Sequence, residues 1–246
     1  MFLYETHAHT SPVSACAALS PAQQVRAYKK RGYAGIIVTD HFINGNSSCP
    51  HKLQWNQKMA YIAAGYARAK AEGDLCGLDV FFGWEYAIAG TEFLTYGLGL
   101  DFLLEHPGLD QLTVEQYSAL IRQSGGYLAQ AHPFRKAYWI AAPRPVEPSL
   151  IDGVEVYNAS MPDSVNQSAL DFAHRHGLPM QAGSDSHSEH LGFASGIALD
   201  KRAESISDII KAIQTKRANL ILPDGFGHGL VPSNNASHLK GQGVKR

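Results

Sequence analysis

The sequence predicts an α/β protein with a parallel sheet, closed as a barrel or doubly wound. Short apolar runs rich in Val, Ile, Phe and Tyr alternate with helix-like segments along most of the 246 residues, which is the pattern of repeated strand–helix units. Seven strand candidates in roughly 220 residues favour a barrel slightly smaller than the usual eightfold one. Hydrophobic residues make up 45% and charged residues 17% of the chain, so it can bury a sizeable core.

The strand candidates are near-continuous apolar runs, as expected for strands that are covered on both faces. We find no internal repeat and no linker between them, so residues 1–222 are predicted to form one domain. Residues 223–246 are rich in Gly, Asn, Ser and Lys without periodicity, and we predict a mobile tail there. In chain order the runs are FLYETHAH, AGIIVTDH, VFFGWEYA, EFLTYGLG, YLAQAHPF, GVEVYNAS and LPMQAGSDSH.

Four helices between these strands are predicted from their end signals. A Ser-Pro pair followed by Gln opens the first, and Thr with Gln three residues later opens the second, in both cases with the spacing of a capping box. Glycine closes the first three. The predicted helices run from Ser20 to Gly32, from Thr113 to Gly125, from about Val165 to Arg175 and from about Ser207 to Lys216.

Charge balance and cysteine usage exclude several classes of protein. Lys and Arg number 21 against 22 Asp and Glu, a formal net charge of -1, so the chain lacks the basic excess that binding of long nucleic acid needs. Three widely spaced cysteines predict no disulfide framework. The first residues have no signal-peptide pattern, and no run approaches the roughly 18 apolar residues of a membrane span, so we predict a soluble cytoplasmic protein.

Residues that commonly bind metals lie at the ends of five strand candidates. His7 and His9 are two apart on a strand, so their side chains point to the same face. Because the carboxyl ends of parallel barrel strands converge on one mouth, the whole set would meet there. Five histidines and two carboxylates in one place suit two or three divalent ions of the Zn, Mn or Fe type. The remaining members of the set are His41, Glu85, His132, Asp185 and His187.

The order of these motifs, HAH, TDH, a strand-end Glu, AHP and GSDSH, resembles the PHP (polymerase and histidinol phosphatase) family over roughly residues 1–222. Members of that family are metal-dependent phosphoesterases on a distorted (β/α)7 barrel, and the resemblance implies the same TIM-like fold here. It also implies three metal subsites. The first would use His7, His9, Glu85 and Asp185; the second would use His132 with Glu85 as the bridge; the third would use His41 and His187.

Two positions depart from the family pattern. After the first H-x-H the family usually supplies another His or Asp, whereas this chain offers only Cys16, which is either a ligand or a buried thiol. On the strand after the bridging Glu the family commonly has a His, and here Glu92 is the nearest replacement, with a surface carboxylate as the other reading. The number of bound metals therefore stays open between two and three.

The predicted reaction is hydrolysis of a phosphoester, most simply a small phosphomonoester, by a hydroxide held at a di- or trinuclear centre. Arg135 lies three residues after His132, where its planar fork could bind phosphoryl oxygens. His190 could contact phosphate or protonate the leaving group. Asp40 is predicted to orient a ligand rather than to bind metal, and Asn158 is a candidate for lining the mouth.

Two other functions remain open. The first is a metal-dependent amidohydrolase, which also has H-x-H on its first barrel strand. Amidohydrolases generally have a single Asp on the last barrel strand. This chain has D-x-H there, and its candidate bridging ligand is a Glu on the third strand. The second alternative is a non-catalytic metal-binding domain, because this barrel also occurs as an accessory to polymerases. Retention of seven ligand-type residues favours the enzyme.

Overall fold

The computed structural model describes residues 1–88, 90–137, 140, 145–188 and 194–227, and it contains one sheet of nine strands. Six α-helices pack around this sheet within the described residues. The strands are β1 Phe2–Ala8, β2 Gly35–Val38, β3 Asp79–Ile88, β4 Thr91–Tyr96, β5 Tyr127–Ala131, β6 Gly153–Asn158, β7 Met180–Gly183, β8 Gly196–Leu199 and β9 Asn219–Ile221. The helices are α1 Pro21–Lys30, α2 Trp55–Cys76, α3 Leu100–Glu105, α4 Val114–Gln123, α5 Asp163–His176 and α6 Ile206–Gln214.

The sheet is a nearly closed barrel, as the sequence predicts. Its strand order is β7-β6-β5-β4-β3-β2-β1-β8-β9, with β1, β2 and β3 parallel and β5, β6 and β7 parallel. The chain leaving β7 returns to β1 and completes the ring, because Ala8 pairs with Ser186 in parallel and the His9 N–H donates to the Ser186 carbonyl at 3.0 Å. The predicted strands correspond to β1–β7.

The sheet is not wholly parallel, which corrects the sequence-based expectation. β4 runs antiparallel to both β3 and β5, because the chain reverses in a hairpin between Ile88 and Thr91 and Gly90 supplies a φ of 82°. β8 and β9 are antiparallel additions beside β1. They were not predicted because runs of four and three residues are too short to show a hydrophobic period.

All four predicted helices are present within a few residues of their expected bounds. Ser20 and Thr113 each form the expected capping box, and Gly177 ends α5 in the left-handed conformation. The 22-residue helix α2 and the short α3 were not predicted. The face of α2 that packs on the sheet includes small residues such as Gly65, Ala69 and Gly73, so its apolar stripe is weak in the sequence.

The mouth of the barrel lies where β1, β3, β5 and β7 end, and apolar layers surround it. Trp84, Tyr86, Phe93 and Tyr117 belong to the largest cluster, and the rings of Tyr86 and Tyr117 stack with centroids 3.7 Å apart. Of the predicted tail, residues 228–246 lie outside the described residues, while Phe226 packs edge-on against Tyr157. Within the described residues, we find no helix both long enough and apolar enough to cross a membrane.

A buried carboxylate joins β1 to the strand end at β7. Glu5 Oε1 accepts the backbone N–H groups of His7 at 2.8 Å and Ser184 at 2.9 Å, and Oε2 accepts the Tyr28 hydroxyl at 2.5 Å. Burial raises the pKa of Glu5 to about 7, although the hydrogen bonds from Ser184 and Tyr28 lower it. The folded protein therefore holds a proton that the unfolded chain releases near pH 4.5.

We expect Glu5 to make the metal-free protein less stable as the pH rises from about 4.5 to about 7. A shift of this size is worth about 3 kcal/mol of unfolding free energy, present below the lower pKa and lost above the higher one. Glu5→Gln keeps the shape and should flatten this part of the profile in urea unfolding at pH 5 and pH 8. The exposed Glu105→Gln should retain the wild-type slope, and an unchanged slope in Glu5→Gln would contradict the assignment.

Candidate metal centre

The ligand-type side chains predicted from the strand ends meet at the mouth of the barrel. His7 lies one residue before the end of β1 and His9 one residue after it. Both rings are fully buried, and their Nε2 atoms are 3.1 Å apart. Asp185, just after β7, places Oδ1 3.1 Å from His9 Nε2 and 3.5 Å from His7 Nε2. The ring of His187 stacks on that of His9 with centroids 4.3 Å apart. The first and last of the predicted ligand motifs are thus in direct contact.

Glu85, near the end of β3, lies between two sets of histidines. Its Oε1 is 3.1 Å from His132 Nε2 and 3.3 Å from His7 Nε2. Its Oε2 is 2.8 Å from His41 Nδ1 and 3.6 Å from His9 Nε2. One carboxylate therefore faces both sides of the cluster, which is the arrangement that a bridging ligand needs.

The ligand atoms form four overlapping groups of three, and within each group they lie within 4.8 Å of one another. All seven side chains of the predicted ligand set belong to at least one group, and Glu92 joins them. The groups are His9–His41–His187, His7–Glu85–His132, His7–His9–Asp185 and His41–Glu85–Glu92.

Two of the gathered residues have a strained backbone. Of the three non-glycine residues with positive φ among the described residues, His132 has φ 26° and Asp185 has φ 52°. Such conformations cost of order 1–3 kcal/mol each and persist only when surrounding contacts enforce them. The fold therefore maintains an unfavourable backbone at two positions whose side chains point into the cluster.

The residues fit a divalent metal ion. Among the described residues, His41 Nδ1 and Glu85 Oε2 are buried without a hydrogen-bond partner although they lie 2.8 Å apart. Buried polar atoms that lack a hydrogen bond are costly, and an ion shared by His41 and Glu85 would remove that cost. Imidazole nitrogens with carboxylate oxygens form a donor set that suits Zn, Mn or Fe.

The electrostatics of the cluster also suit metal binding. Burial raises the pKa of Glu85, but the imidazoles of His41 and His7 outweigh it and hold that pKa well below its usual range. Burial together with the neighbouring His41 lowers the pKa of His9 to about 3, so its ring is neutral as a ligand must be. Burial also raises the pKa of Asp185, but the neighbouring His7 and His9 outweigh it and hold that pKa well below its usual range.

The two residues that depart from the family pattern, Cys16 and Glu92, both lie at the site. Cys16 is exposed at the edge of the cluster. Partial burial raises the pKa of its thiol, but the neighbouring His187 and His41 outweigh it and lower that pKa to about 6. Glu92 Oε2 lies 3.5 Å from His132 Nε2 and 2.9 Å from Arg135 Nη1. Both side chains therefore lie next to candidate ligands of the cluster.

The predicted phosphate-binding residues differ in what the structure describes. Arg135 is half-buried, pairs with Glu92 and lines a cavity together with Glu92 and His132. His190 lies outside the described residues. Glu92 thus holds the guanidinium of Arg135 beside the cluster, because the same carboxylate also contacts His132.

Asp40 acts on the cluster through its neighbours. Its carboxylate accepts Thr10 N at 2.5 Å, Thr10 Oγ1 at 2.6 Å and Ser14 Oγ at 2.7 Å. Ser14 Oγ is in turn 3.1 Å from His9 Nδ1 and accepts the backbone N–H of His41 at 3.0 Å. Asp40 therefore contacts His9 and His41 indirectly, through Ser14.

Sequence reasoning missed Ser14 and Glu155 as parts of the site. Glu155 is buried in β6 and contacts His7 Nδ1 at 2.9 Å. A carboxylate inside the apolar run GVEVYN was the available signal, because burial of a charge needs a partner. Asn158, at the end of β6, donates its amide to Glu155 at 2.9 Å and to Asp185 at 3.4 Å.

Comparisons with known proteins agree with this fold. The sequence model of the PHP-associated family, PHP_C, matches residues 163–218. A search of curated proteins finds no match. Among solved structures, a two-domain Bacteroides vulgatus protein containing a predicted PHP-like metal-dependent phosphoesterase is similar with a TM-score of 0.65 and 15% identity. That match covers 89% of this chain and 64% of the other, so this chain spans less than two thirds of its length.

Two further structures share the fold. An amidohydrolase from Chromobacterium violaceum, solved with bound sulfate and no metal, has a TM-score of 0.56 and 16% identity, covering 85% of this chain and 96% of that one. A lesion-specific endonuclease from Pyrococcus furiosus has a TM-score of 0.52 and 15% identity, covering 90% and 58%. The fold and site define an α/β barrel with a candidate metal centre at its mouth. Part of the chain thus matches the PHP-associated family model, and its fold is similar to that of a protein that contains a predicted PHP-like metal-dependent phosphoesterase.

Proposed function

We propose that this protein is a metal-dependent phosphoesterase whose substrate is a small phosphomonoester and whose catalytic unit is the barrel of residues 1–222. One observation carries the proposal: seven ligand-type side chains, with Glu85 at their centre, converge at the barrel mouth, and a guanidinium is held beside them. Neutralising phosphoryl oxygens requires this combination of cations and a fork-shaped donor. A protein of the same fold contains a predicted PHP-like metal-dependent phosphoesterase, which supports the same reaction class.

The proposed metal subsites follow the groups of ligand atoms. His7, His9, Glu85 and Asp185 would hold the first ion, and Glu85 would be shared with a second at His132. His41 and His187 would hold a third. Divalent ions here would polarise phosphoryl oxygens and lower the pKa of a bound water to about 7. Glu92 would complete the second subsite, and Cys16 would complete the third.

The protein's own residues would do the rest. Arg135, fixed by Glu92 at 2.9 Å, would present its guanidinium to the non-bridging oxygens of the substrate. Its pairing with Glu92 restricts the side chain before substrate arrives, which reduces the entropy lost on binding. Buried Asp40, through Ser14, would keep the His9 ring in its orientation.

Replacing Cys16 with serine should weaken one metal site and leave the others intact. A thiolate is a soft ligand that favours Zn²⁺, so its loss should lower affinity at the third subsite by at least about 10-fold. Titration of the metal-free protein with Co²⁺ would show a sulfur-to-cobalt charge-transfer band in the wild type that is missing in Cys16→Ser. Cys76→Ser is the matched control. If the wild type shows no such band and the stoichiometry is the same in Cys16→Ser, Cys16 is not a ligand.

The reaction class is tested by phosphate release. Metal-stripped protein would be assayed on a panel of phosphomonoesters and phosphodiesters, without metal and after addition of Mn²⁺ or Zn²⁺. We expect metal-dependent release, with monoesters preferred. Tight metal binding with no release from any ester would contradict the proposal.

An amidohydrolase is the second candidate, because one structure with the same fold is an amidohydrolase. Amide substrates would be included in the panel for this reason, together with short oligonucleotides carrying terminal phosphates. Turnover of amides alone would favour this alternative. Metal binding without turnover on any substrate would favour a non-catalytic metal-binding domain.

A further inference from the structure

Glu155 is a buried carboxylate that belongs to none of the four groups of ligand atoms. It lies in β6 between Val154 and Val156 and is only 1% exposed. A charge in such a place is costly unless every oxygen has partners. The contacts of Glu155 should therefore explain why this buried position carries a carboxylate.

Each oxygen of Glu155 contacts a different candidate ligand. Oε1 lies 2.9 Å from His7 Nδ1, and Oε2 accepts the backbone N–H of His132 at 3.0 Å. Oε2 also accepts Asn158 Nδ2 at 2.9 Å, and the same amide group donates to Asp185 Oδ2 at 3.4 Å. One carboxylate thus reaches His7 and His132 directly and Asp185 through one side chain.

The contact with His7 determines which ring nitrogen can bind a metal. An ionised carboxylate can only accept, so His7 Nδ1 carries the hydrogen and donates it to Glu155. The other nitrogen, Nε2, is then the one with a free lone pair. It is also the nitrogen that lies 3.3 Å from Glu85 Oε1 and 3.5 Å from Asp185 Oδ1.

The contact with His132 holds a strained backbone. His132 has φ 26°, a conformation that a non-glycine residue avoids. The hydrogen bond from its N–H to Glu155 Oε2 helps to fix that turn, and the turn directs His132 Nε2 to within 3.1 Å of Glu85 Oε1.

The neighbouring strand leaves room for this carboxylate. A Cβ at Gly183 in β7 would lie 2.7 Å from Glu155 Oε1 and 2.7 Å from His7 Cβ, so only glycine fits beside the contact. The pairing of β6 with β7 also shifts register between Glu155 and Tyr157, as at a bulge that re-aims side chains. The backbone on both sides is adapted to the position of Glu155.

We propose that Glu155 is a positioning residue that orients His7 and His132 together, so that one carboxylate outside the ligand set governs two metal subsites. This inference rests on the proposed metal-binding role of those histidines. It predicts that loss of the carboxylate weakens the subsites of His7 and His132 and leaves the subsite of His41 and His187 unchanged.

The test is calorimetric titration of metal-free Glu155→Gln with Zn²⁺ and with Mn²⁺, beside the wild type. Glutamine keeps the shape but cannot accept both N–H groups with two oxygens. We expect a 10- to 100-fold loss of affinity, the range for residues that orient metal ligands, at one or two sites only. Asp152→Asn is the matched control, since Asp152 is a mostly buried carboxylate that accepts the backbone N–H of Leu128 at 3.0 Å and belongs to none of the four groups of ligand atoms.

The outcomes are distinguishable. If the wild type binds no metal, the proposed function itself fails. If the wild type binds metal and Glu155→Gln has wild-type affinity, or loses affinity equally at every site, the positioning role is wrong. A second measurement needs no variant: nitrogen NMR of the Zn²⁺-loaded wild type should show His7 protonated at Nδ1 and coordinated through Nε2. Coordination through Nδ1 would overturn the inference even if Glu155→Gln fails to fold.

Discussion

Replacing Glu85 with glutamine should reduce metal content and abolish turnover together. We expect the protein to lose at least one of its two or three bound ions and to lose about 10³-fold or more in kcat/KM on its best phosphoester. The second figure follows from the several kcal/mol of charge stabilisation that metal ions contribute to a transition state.

The reason lies in the central position of Glu85. Its two oxygens approach four imidazoles at 2.8 to 3.6 Å, and the predicted first and second subsites share it. Glutamine has one neutral oxygen in place of two charged ones, so it can serve one ion weakly but cannot bridge two. No other carboxylate in the four groups touches both His41 and His132 at such short distances.

Metal content would be measured by mass spectrometry after dialysis, and kcat/KM by phosphate release. Glu147→Gln, at an exposed carboxylate outside the groups, is the control for handling. Wild-type metal content and wild-type activity in Glu85→Gln would show that the bridging role is wrong. Urea unfolding of the same samples separates loss of metal from loss of fold.

Substituting alanine for Gly65 should destabilise the protein by about 3 kcal/mol, although Gly→Ala inside a helix normally stabilises by roughly 0.5–1 kcal/mol. Gly65 lies in α2, where the helix packs against the loop that follows β1. A Cβ at this position would lie 2.2 Å from Asp40 Oδ2 and 2.6 Å from Thr10 Oγ1. Neither atom can yield without breaking hydrogen bonds.

The expected cost combines overpacking with a damaged hydrogen-bond network. Asp40 accepts from Thr10 and Ser14, and Ser14 holds His9, so displacement of Asp40 should also weaken metal binding. Urea unfolding of the metal-free protein measures the first effect and calorimetric titration with Zn²⁺ the second.

Gly99→Ala is the control, because no atom lies within 4 Å of a Cβ built there and its φ is negative. It should change stability by no more than about 0.5 kcal/mol. A stabilised Gly65→Ala would mean that α2 does not pack as closely on Asp40 as the structure indicates.

Much of the candidate site could be predicted from sequence because its residues follow strands. His41, His132 and Asp185 each come after an apolar run, and parallel strand ends converge at one mouth whatever the details of packing. The barrel class follows from the same alternation of strands and helices. Local end signals at Ser20 and Thr113 were sufficient to find two helices with their capping boxes.

What could not be predicted depends on contacts between distant segments. The antiparallel direction of β4 results from a two-residue reversal, which a hydrophobic pattern does not reveal. Glu155 and His7 are 148 positions apart, and only closure of the barrel brings them to 2.9 Å. The helix α2 was missed because small residues such as Gly65 form part of its buried face, and small residues are what close packing on Asp40 requires.

The central claim is that the barrel mouth holds divalent metal ions on the seven strand-end side chains. Anomalous diffraction from crystals loaded with Mn²⁺ or Zn²⁺, collected on both sides of the metal's absorption edge, tests it most directly. We expect two or three peaks, with Glu85 between two of them. Each peak should lie about 2.0–2.3 Å from nitrogen, oxygen or sulfur atoms of at least two side chains, drawn from the four groups or Cys16. No peak at full metal loading, or peaks only at the protein surface, would contradict it.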